Sequence, residues 1–143
     1  MLSNTSKYAI RAVIFLSVFA TKEKKLGIKA ISKKLDIPAP FLGKILQLLA
    51  RQGILVSTKG PNGGFALGKP PQEISLMSII EIIDGKDAFD MCVIRTTPCS
   101  LSSPCSLHDM ISPSKNEMKK IFISQTIDDL ATEFKHDKDR IKI

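Results

Sequence analysis

Residues 28–67 contain, in immediate succession, two sequence patterns typical of helices and two typical of strands, with a glycine-rich turn between the strands. The earlier of these two helices is predicted over residues 28–36. Its apolar residues Ile28, Ile31 and Leu35 fall on one helix face. A second helix is predicted to begin near Pro38–Pro40, because proline suits the first turn, and to end at Gly53. Two short helices joined by a tight turn form a helix-turn-helix.

A β-hairpin is predicted directly after the second helix. Ile54–Ser57 is typical of a strand, and Phe65–Leu67 is short enough to be the returning strand. The residues between them, 58–64, are turn formers throughout. A hairpin in this place is a wing, so the predicted fold is mainly α with a small β-hairpin, a winged helix-turn-helix.

The chain begins with a predicted helix over residues 5–20. A signal peptide is disfavoured because Arg11 interrupts the apolar run and no small-x-small cleavage site follows it. The twelve residues of the run, Ala9–Ala20, are too few to cross a bilayer, which takes about 20 residues. We therefore predict a buried first helix in a cytoplasmic protein without a membrane partner.

Past the hairpin, Pro70-Pro71 marks a boundary before the next predicted helix. Ser75 is the expected N-cap of that helix, and Gly85 lies just past its end. Residues 86–103 show no periodicity, so they are predicted to form an irregular loop.

A long helix is predicted to start at Ser103-Pro104, an N-cap followed by a proline suited to the first turn. Pro113 should kink or interrupt it, or a fresh helix should start at Ser114. A last short helix is expected after Thr126, and the charged tail from Lys135 is expected to fray.

Charge divides the chain near residue 69. The 143 residues carry a net charge of +7. Residues 1–69 hold twelve Lys and Arg against two acidic residues, a balance of +10, whereas residues 70–143 have a balance of −3. A basic half indicates a polyanionic partner, either nucleic acid or an anionic membrane.

The basic half coincides with the winged helix-turn-helix, which indicates DNA binding. A helix fits the major groove of B-DNA, and a hairpin tip can follow the backbone or enter the minor groove. The expected contacts are the lysines Lys29, Lys33, Lys44 and Lys59, and the small or polar wing residues Ser57, Thr58, Gly60, Asn62 and Gly63. The alternative is a solvated basic surface on an ordinary three-helix domain.

Three cysteines and one histidine form a second constellation, Cys92-x6-Cys99-x5-Cys105-x2-His108. Thiolates and imidazole suit iron–sulfur clusters or zinc. Cys105 and His108 would share one face of a helix. The spacing matches neither a zinc knuckle nor a ferredoxin run, so structural or redox cysteines are an alternative of equal weight to a metal site.

Together the two constellations resemble one family, the winged-helix transcription regulators that include IscR and NsrR, often called the Rrf-two type. The match covers nearly the whole chain and includes Ser6–Ala9, Ile37–Leu42 and the cysteines with the histidine that follows them. The wing, Lys59–Leu67, reads KGPNGGFAL and is similar to the family's pattern of a basic residue, Gly-Pro, any residue, Gly-Gly and an aromatic.

The resemblance implies a homodimer that pairs through a long helix and binds a pseudo-palindromic DNA operator with two recognition helices. It also implies an iron–sulfur cluster on Cys92, Cys99 and Cys105 that senses cluster supply, nitric oxide or redox state. In the IscR branch a histidine matching His108 completes a 2Fe-2S site, which is the favoured arrangement. The NsrR branch holds a 4Fe-4S cluster with an acidic ligand from the partner's first helix, where this chain has Lys7. The cysteine spacing is that of neither branch, so the cluster type stays open.

The resemblance also assigns positions on the recognition helix. Family positions that offer hydroxyls and an amide to bases match Pro38, Pro40, Phe41, Gly43 and Lys44. Phe41 would contact a thymine methyl or pack in the core, and Lys44 would reach a guanine or a phosphate. The operator sequence of the family is therefore not expected for this chain.

Four segments follow from the sequence and the resemblance. They are a winged helix-turn-helix over 1–84, a cysteine-containing loop over 85–104, a dimerisation helix with a short C-terminal helix over 105–134, and a charged tail over 135–143.

Two other functions stay open. One is a regulator of the same fold without a cluster, with cysteine thiols or another small molecule as its signal. The other, more remote, is a small thiol redox enzyme. A C-x-x-C motif and a cofactor-binding glycine loop, which such an enzyme would use, are both missing from the sequence.

Overall fold

The computed structural model describes residues 2–136, and within them the chain forms six α-helices and one two-stranded antiparallel sheet. In chain order the elements are α1 (Asn4–Phe19), α2 (Ile28–Leu35), α3 (Ala39–Arg51), β1 (Leu55–Thr58), β2 (Gly64–Leu67), a 3-10 turn (Pro71–Glu73), α4 (Leu76–Asp84), α5 (His108–Ser124) and α6 (Ile127–His136). This is the predicted winged helix-turn-helix followed by a long helix. None of the described helices is long and apolar enough to cross a membrane.

The helix-turn-helix forms where the sequence predicts it. α2 is followed by Asp36, whose φ of 54° lies in the left-handed region, and Pro38 caps α3. α3 ends two residues before Gly53, whose φ of 77° is the left-handed stop expected of a glycine. Ile31 and Leu35, on the apolar face of α2, are buried as expected.

α1 is the central helix, as its apolar run predicts. It packs against α2, α3, α4 and α6, and the side chains of the shared core that have at most 1% exposure include Ala9, Ala12, Val13, Leu16, Ile31, Leu35, Leu42, Leu46, Leu49, Ile79 and Ile127. Arg11 is the one charged residue in the run. Its guanidinium donates to the Leu35 carbonyl at 2.9 Å, so it ties α1 to the end of α2.

The hairpin begins one residue later than predicted. Leu55 pairs with Leu67 and Thr58 pairs with Gly64 across the two strands. On the other edge of β2, Phe65 exchanges two backbone hydrogen bonds with Leu26, at 2.8 and 3.0 Å. The wing is therefore fixed both to its own first strand and to the segment that precedes α2.

The predicted start of the long helix at Ser103-Pro104 is wrong. α5 begins at His108, and the Ser103 carbonyl instead accepts from the Arg95 guanidinium at 2.9 Å, within the preceding loop. The interruption at Pro113 and the fresh start at Ser114 are wrong as well, because α5 runs unbroken through both. Pro113 is the sixth residue of the helix, so its missing N–H removes a single intrahelical bond.

α6 returns the chain to the core that α1 organises. Thr126 and Asp129 cap it as predicted, since the Thr126 hydroxyl accepts from the Asp129 N–H at 3.2 Å. The Ile127 N–H donates to the Ile74 carbonyl at 2.9 Å, which places the start of α6 beside the start of α4. Of the predicted tail, Lys135 and the next residue form the last turn of α6, and residues 137–143 lie outside the described part.

The end of α4 is fastened to the beginning of α1 by Asp84. Its carboxylate accepts from the Ser3 N–H at 3.1 Å, from the Ser6 hydroxyl at 2.8 Å and from the Ser3 hydroxyl. Partial burial raises the pKa of Asp84, but these hydrogen bonds outweigh it and hold the pKa below its ordinary value of 3.8. Ser6 has no exposed surface, so the contact lies where the helices meet.

Replacing Asp84 by Asn is expected to lower the free energy of unfolding at pH 7 by about 1 kcal/mol, since charge-assisted hydrogen bonds are weakened at a partly exposed site. The folded pKa lies below the unfolded one, so this stabilisation is present above pH 4 and is lost as the pH falls through the folded pKa. Urea unfolding at pH 7 and pH 3 should show the two proteins converging in acid. Glu81→Gln, an exposed change on the same helix, is the control. A constant difference at both pH values would contradict the role of the carboxylate.

Candidate nucleic-acid interface and metal centre

The N-terminal part of α3 holds four of the predicted DNA contacts. Pro38, Pro40 and Lys44 are exposed. Phe41 is 39% exposed, and its ring centroid lies 5.8 Å from that of Tyr8 in an edge-on contact. Phe41 thus packs on α1 and still keeps a free surface, and its contact with a thymine methyl remains a prediction.

α2 and α3 approach each other closely at Gly43. Gly43 is buried, and a Cβ there would lie 3.3 Å from the Ile28 Cδ1 atom. This residue therefore serves the packing of the two helices, although its position matches a base-contacting one in the resemblance. Lys29 and Lys33 are exposed on the other side of α2, where the sequence predicts them.

The wing carries the remaining predicted contacts at its surface. Five of them are exposed and one is half-buried: Ser57, Thr58, Lys59, Gly60 and Asn62, with Gly63. The Gly63 N–H donates to the Gly60 carbonyl at 3.0 Å and closes the turn. A Cβ on Gly63 would lie 2.1 Å from the Thr58 carbonyl oxygen, so only glycine fits there.

The neighbouring Gly64 is required for a different reason. Its φ is 143°, and a Cβ on it would lie 2.3 Å from the Leu26 carbonyl oxygen. That carbonyl accepts the hydrogen bond from Phe65 that fixes the wing to the segment before α2. The Gly-Gly pair of the wing motif is thus explained by two separate backbone contacts.

Two residues of α3 were missed by the sequence analysis. Gln47 and Arg51 are exposed and line a groove of about 810 Å³ between α3 and β1, together with Ser57, Thr58 and Lys59 of the wing. The sequence does contain the signal, because Lys44, Gln47 and Arg51 fall at i, i+3 and i+7 on one helix face. The structure thus connects the polar face of α3 to the wing through this groove.

Residues 85–107, which we call the cysteine loop, connect α4 to α5. The loop is irregular, as predicted, but it has backbone hydrogen bonds of its own. The Cys92 N–H donates to the Thr97 carbonyl at 3.0 Å, and the Cys99 N–H donates to the Asp90 carbonyl at 2.7 Å. These bonds fold the loop back on itself and bring Cys92 and Cys99 close to the start of α5.

The four predicted ligands meet in two pairs. Cys99 Sγ lies 3.0 Å from His108 Nδ1, and Cys105 lies close enough to Cys92 to help lower the pKa of the Cys92 thiol. Cys99, Cys105 and His108 also border one small cavity of about 10 Å³, room for about one water molecule. All four thus lie together at the junction of the loop and α5, although no three His, Cys, Asp or Glu side chains among residues 2–136 are arranged to hold a metal ion.

Cys105 does not share a helix face with His108, contrary to the prediction. It lies three residues before α5, and its carbonyl accepts from the His108 N–H at 3.0 Å in a turn. The turn places both side chains at the start of α5, although Cys105 is not part of the helix. On its other side the His108 ring is 3.4 Å from the Ser112 hydroxyl, one turn along α5.

The Cys92 thiol is prepared for deprotonation. Hydrogen bonds from the Arg95 and Ile94 backbone N–H groups, with smaller contributions from Cys105 and the Arg95 charge, lower the pKa of Cys92 to about 7 against the opposing effect of desolvation. A thiol with such a pKa is partly thiolate at neutral pH, and the thiolate is the form that binds metals and reacts with oxidants.

Two lysines of α5 bind residues near the beginning of the cysteine loop. The Lys119 ammonium lies 3.1 Å from the Asp90 carboxylate, and the Lys115 ammonium donates to the Met91 carbonyl at 2.6 Å. The Asp90 carbonyl is also the acceptor for Cys99. Asp90 and Lys119 were not predicted, since nothing in the sequence pairs residues so far apart.

α5 carries large apolar side chains that the described chain leaves exposed, and two of them, Met110 and Ile121, share one helix face. None of its residues is fully buried, and Met110, Ile121 and Ile123 are 74%, 55% and 55% exposed. Exposed apolar stretches of this kind mark sites of protein interaction.

Comparison with known proteins identifies the kind of protein that shares this architecture. A family model described as an iron-dependent transcriptional regulator, Rrf2, matches residues 2–133. A putative HTH-type transcriptional regulator of Aquifex aeolicus is 33% identical over 130 residues, which cover 90% of this chain and 89% of the relative.

Two solved structures are similar in fold. CymR, described as the global cysteine regulator of B. subtilis, superimposes with a TM-score of 0.75 at 21% identity, covering 93% of this chain and 97% of CymR. IscR of T. potens gives a TM-score of 0.72 at 18% identity, covering 99% and 91% of the two chains. The winged helix-turn-helix with its long helix is therefore a fold that regulators use.

Proposed function

This chain belongs to the Rrf2 family of iron-dependent transcriptional regulators, and from that premise we propose that an iron–sulfur cluster held by its own cysteines controls its affinity for DNA. The chain is a DNA-binding transcriptional regulator and not an enzyme, and the resemblance found in the sequence is confirmed. The observation that carries the cluster proposal is the pairing of Cys92 with Cys105 and of Cys99 with His108.

In the proposed complex α3 enters the major groove and the wing follows the DNA backbone. The exposed N-terminal part of α3 supports this, with Lys44 for a base edge or phosphate and Phe41 for a thymine methyl. Lys29, Lys33 and the wing residues from Ser57 to Gly63 would contact phosphates. The groove between α3 and β1 adds Arg51 to this set.

We propose that the protein acts as a homodimer through α5. The exposed apolar side chains of that helix, Met110 and Ile121 among them, would be covered by the same surface of a second copy. A two-fold dimer presents two recognition helices, so its operator would be a pseudo-palindrome.

The donor set suits a 2Fe-2S cluster better than a single ion. Such a cluster has two irons, each with two protein ligands, and the chain offers two donor pairs of three thiols and one imidazole. The cavity of about 10 Å³ that Cys99, Cys105 and His108 border is too small for the cluster, so the loop would have to open to admit it. When bound, the cluster would supply redox-active iron that reacts with oxidants or nitric oxide.

A 4Fe-4S cluster is the alternative arrangement. It would need a fourth ligand in place of His108 or beside it, and in the NsrR branch this is an acidic residue from the partner's first helix. The matching position carries Lys7, exposed on α1, whose ammonium group cannot serve. This difference favours the arrangement with His108.

The connections of the cysteine loop support a route from ligation to DNA binding. The loop starts directly after Asp84, which is fastened to Ser3 and Ser6 at the beginning of α1. Near its beginning the loop is held to α5 by the ion pair of Asp90 with Lys119. A change of the loop on ligation would therefore act on both the dimer helix and the winged helix-turn-helix, as a two-state element biased by a ligand.

A cluster-free regulator is the second candidate, favoured by the lowered pKa of Cys92 and its contact with Cys105. Such a pair can be oxidised to a disulfide, and an oxidised form of the structurally similar CymR of Staphylococcus aureus has been solved. The two candidates differ in iron content and in the number of thiols lost on oxidation.

The proposal is tested by anaerobic purification and reconstitution with iron and sulfide. The expected product is coloured, absorbs in the visible range and contains about two iron atoms per chain, as a 2Fe-2S site requires. About four irons would favour the 4Fe-4S arrangement. A colourless protein without iron after reconstitution would overturn the cluster proposal and leave the thiol regulator.

A further inference from the structure

A groove of about 450 Å³ lies where the end of α1, the side of α2 and the end of α6 meet. Its volume is in the usual range for small-molecule sites. Phe15 and Phe19 from α1 and Phe134 from α6 form one wall, and Leu35 of α2 lies opposite. No residue predicted to contact DNA or to ligate a cluster lines it, so this is a separate site.

The aromatic wall is partly open to solvent. The centroids of Phe15 and Phe19 are 4.7 Å apart, and Phe19 and Phe134 meet edge-on at 6.3 Å. Phe19 remains 47% exposed in the last turn of α1. An exposed ring next to two others offers both faces and edges to a further aromatic group.

The polar part of the groove is entirely cationic. Lys24 and Lys34 line it, and no carboxylate does. Both lysines are exposed, and neither takes part in the ion pairs found among residues 2–136. Their ammonium groups therefore stand at an apolar surface with no ion-pair partner in the described part of the chain, which complements an organic anion.

We propose that this groove binds an aromatic monocarboxylate, with its ring system against the phenylalanine wall and its carboxylate between Lys24 and Lys34. One carboxylate has two oxygens, one for each ammonium group. A neutral or cationic ring compound would leave both lysines without an ion-pair partner. The ligand would touch α2 of the helix-turn-helix and α6 at once. The site does not depend on the cluster proposed above.

The test uses the full chain without DNA and two matched probes, 2-naphthoate and the neutral 2-naphthylmethanol, in isothermal titration calorimetry. 2-Naphthoate is expected to bind with a Kd on the order of 0.1–1 mM, a value typical for so small a ligand. The alcohol is expected to bind roughly fivefold more weakly, because it forms no ion pair. Equal affinity for both probes would overturn the proposal.

The double variant Lys24→Ala/Lys34→Ala should bind 2-naphthoate roughly fivefold more weakly and leave the affinity for the alcohol unchanged. Both lysines are exposed, so the melting temperature should not change. Lys22→Ala/Lys86→Ala removes the same charge outside the groove and should bind like the original protein. Equal losses of affinity for 2-naphthoate in the two double variants would show that net charge alone causes the effect, and would reject the site.

Sedimentation in the presence of 2-naphthoate tests whether a second copy of the chain, rather than a small molecule, occupies the groove. Binding should leave the oligomeric state unchanged. Dissociation of an oligomer by the probe would identify the groove as an interface between two copies of the chain and overturn the proposal.

Discussion

Replacing Cys99 by Ala is expected to abolish the visible absorption of the reconstituted protein and to change its operator affinity in the same step. Cys99 Sγ lies 3.0 Å from His108 Nδ1, so the substitution breaks one of the two donor pairs. A cluster that has lost a ligand is not retained under oxidising conditions. The change in operator affinity should be roughly 5- to 150-fold, the usual size of coupling between two sites.

The measurement compares three preparations in the same binding assay: reconstituted protein, the same protein after removal of iron, and the Cys99→Ala variant. The variant should match the iron-free protein, whichever direction the affinity moves. Ser100→Ala, a change at an exposed loop residue next to Cys99, is the control and should keep its colour. If the variant loses colour and still binds like the reconstituted protein, the cluster does not control DNA binding.

Replacing Lys59 by Ala is expected to weaken operator binding and to reduce its dependence on salt. Lys59 is exposed at the wing, on the groove shared with α3, where it would neutralise a phosphate. A dimer would lose two phosphate contacts, so the slope of log K against log salt concentration should fall by about 2. Affinity should fall by at least about tenfold at moderate salt, with operator and random DNA affected alike.

Fluorescence anisotropy at several salt concentrations measures both quantities. Lys86→Ala removes the same charge from an exposed residue after α4 and should leave the slope unchanged. Lys44→Ala provides a contrast, because a residue that reads a base edge should reduce the preference for operator over random DNA. An unchanged salt slope in Lys59→Ala would remove the wing from the DNA interface.

The DNA-binding half could be predicted from sequence because its determinants are local. Helical spacing, the prolines before α3 and the stop at Gly53 each act within a few residues of where they occur. The wing motif is equally local, whereas its attachment to Leu26 and the groove that it shares with α3 depend on contacts between distant residues.

The start of α5 could not be predicted in this way. Ser103-Pro104 has the composition of a helix start, but the Ser103 carbonyl is taken by Arg95, eight residues earlier in the chain. The donor pairs also depend on how the loop folds back, because Cys99 is positioned by the Asp90 carbonyl. Contacts of this kind are decided by tertiary structure, against which local preference is weak.

The bond between Asp84 and Ser3 joins residues 81 positions apart, and the bond between Leu76 and Gln125 joins the beginnings of α4 and α6. The chain therefore leaves the helical bundle at the end of α4 and returns to it at the start of α6, beside the start of α4. The two points are separated by the length of α4, about 13 Å for nine residues. The segment between them still packs on α4, because Phe89 of the cysteine loop and Phe122 of α5 form a small apolar cluster with Met77 and Ile80. A movement of the cysteine loop or of α5 would therefore disturb the packing on α4, and through Asp84 it would reach the beginning of α1.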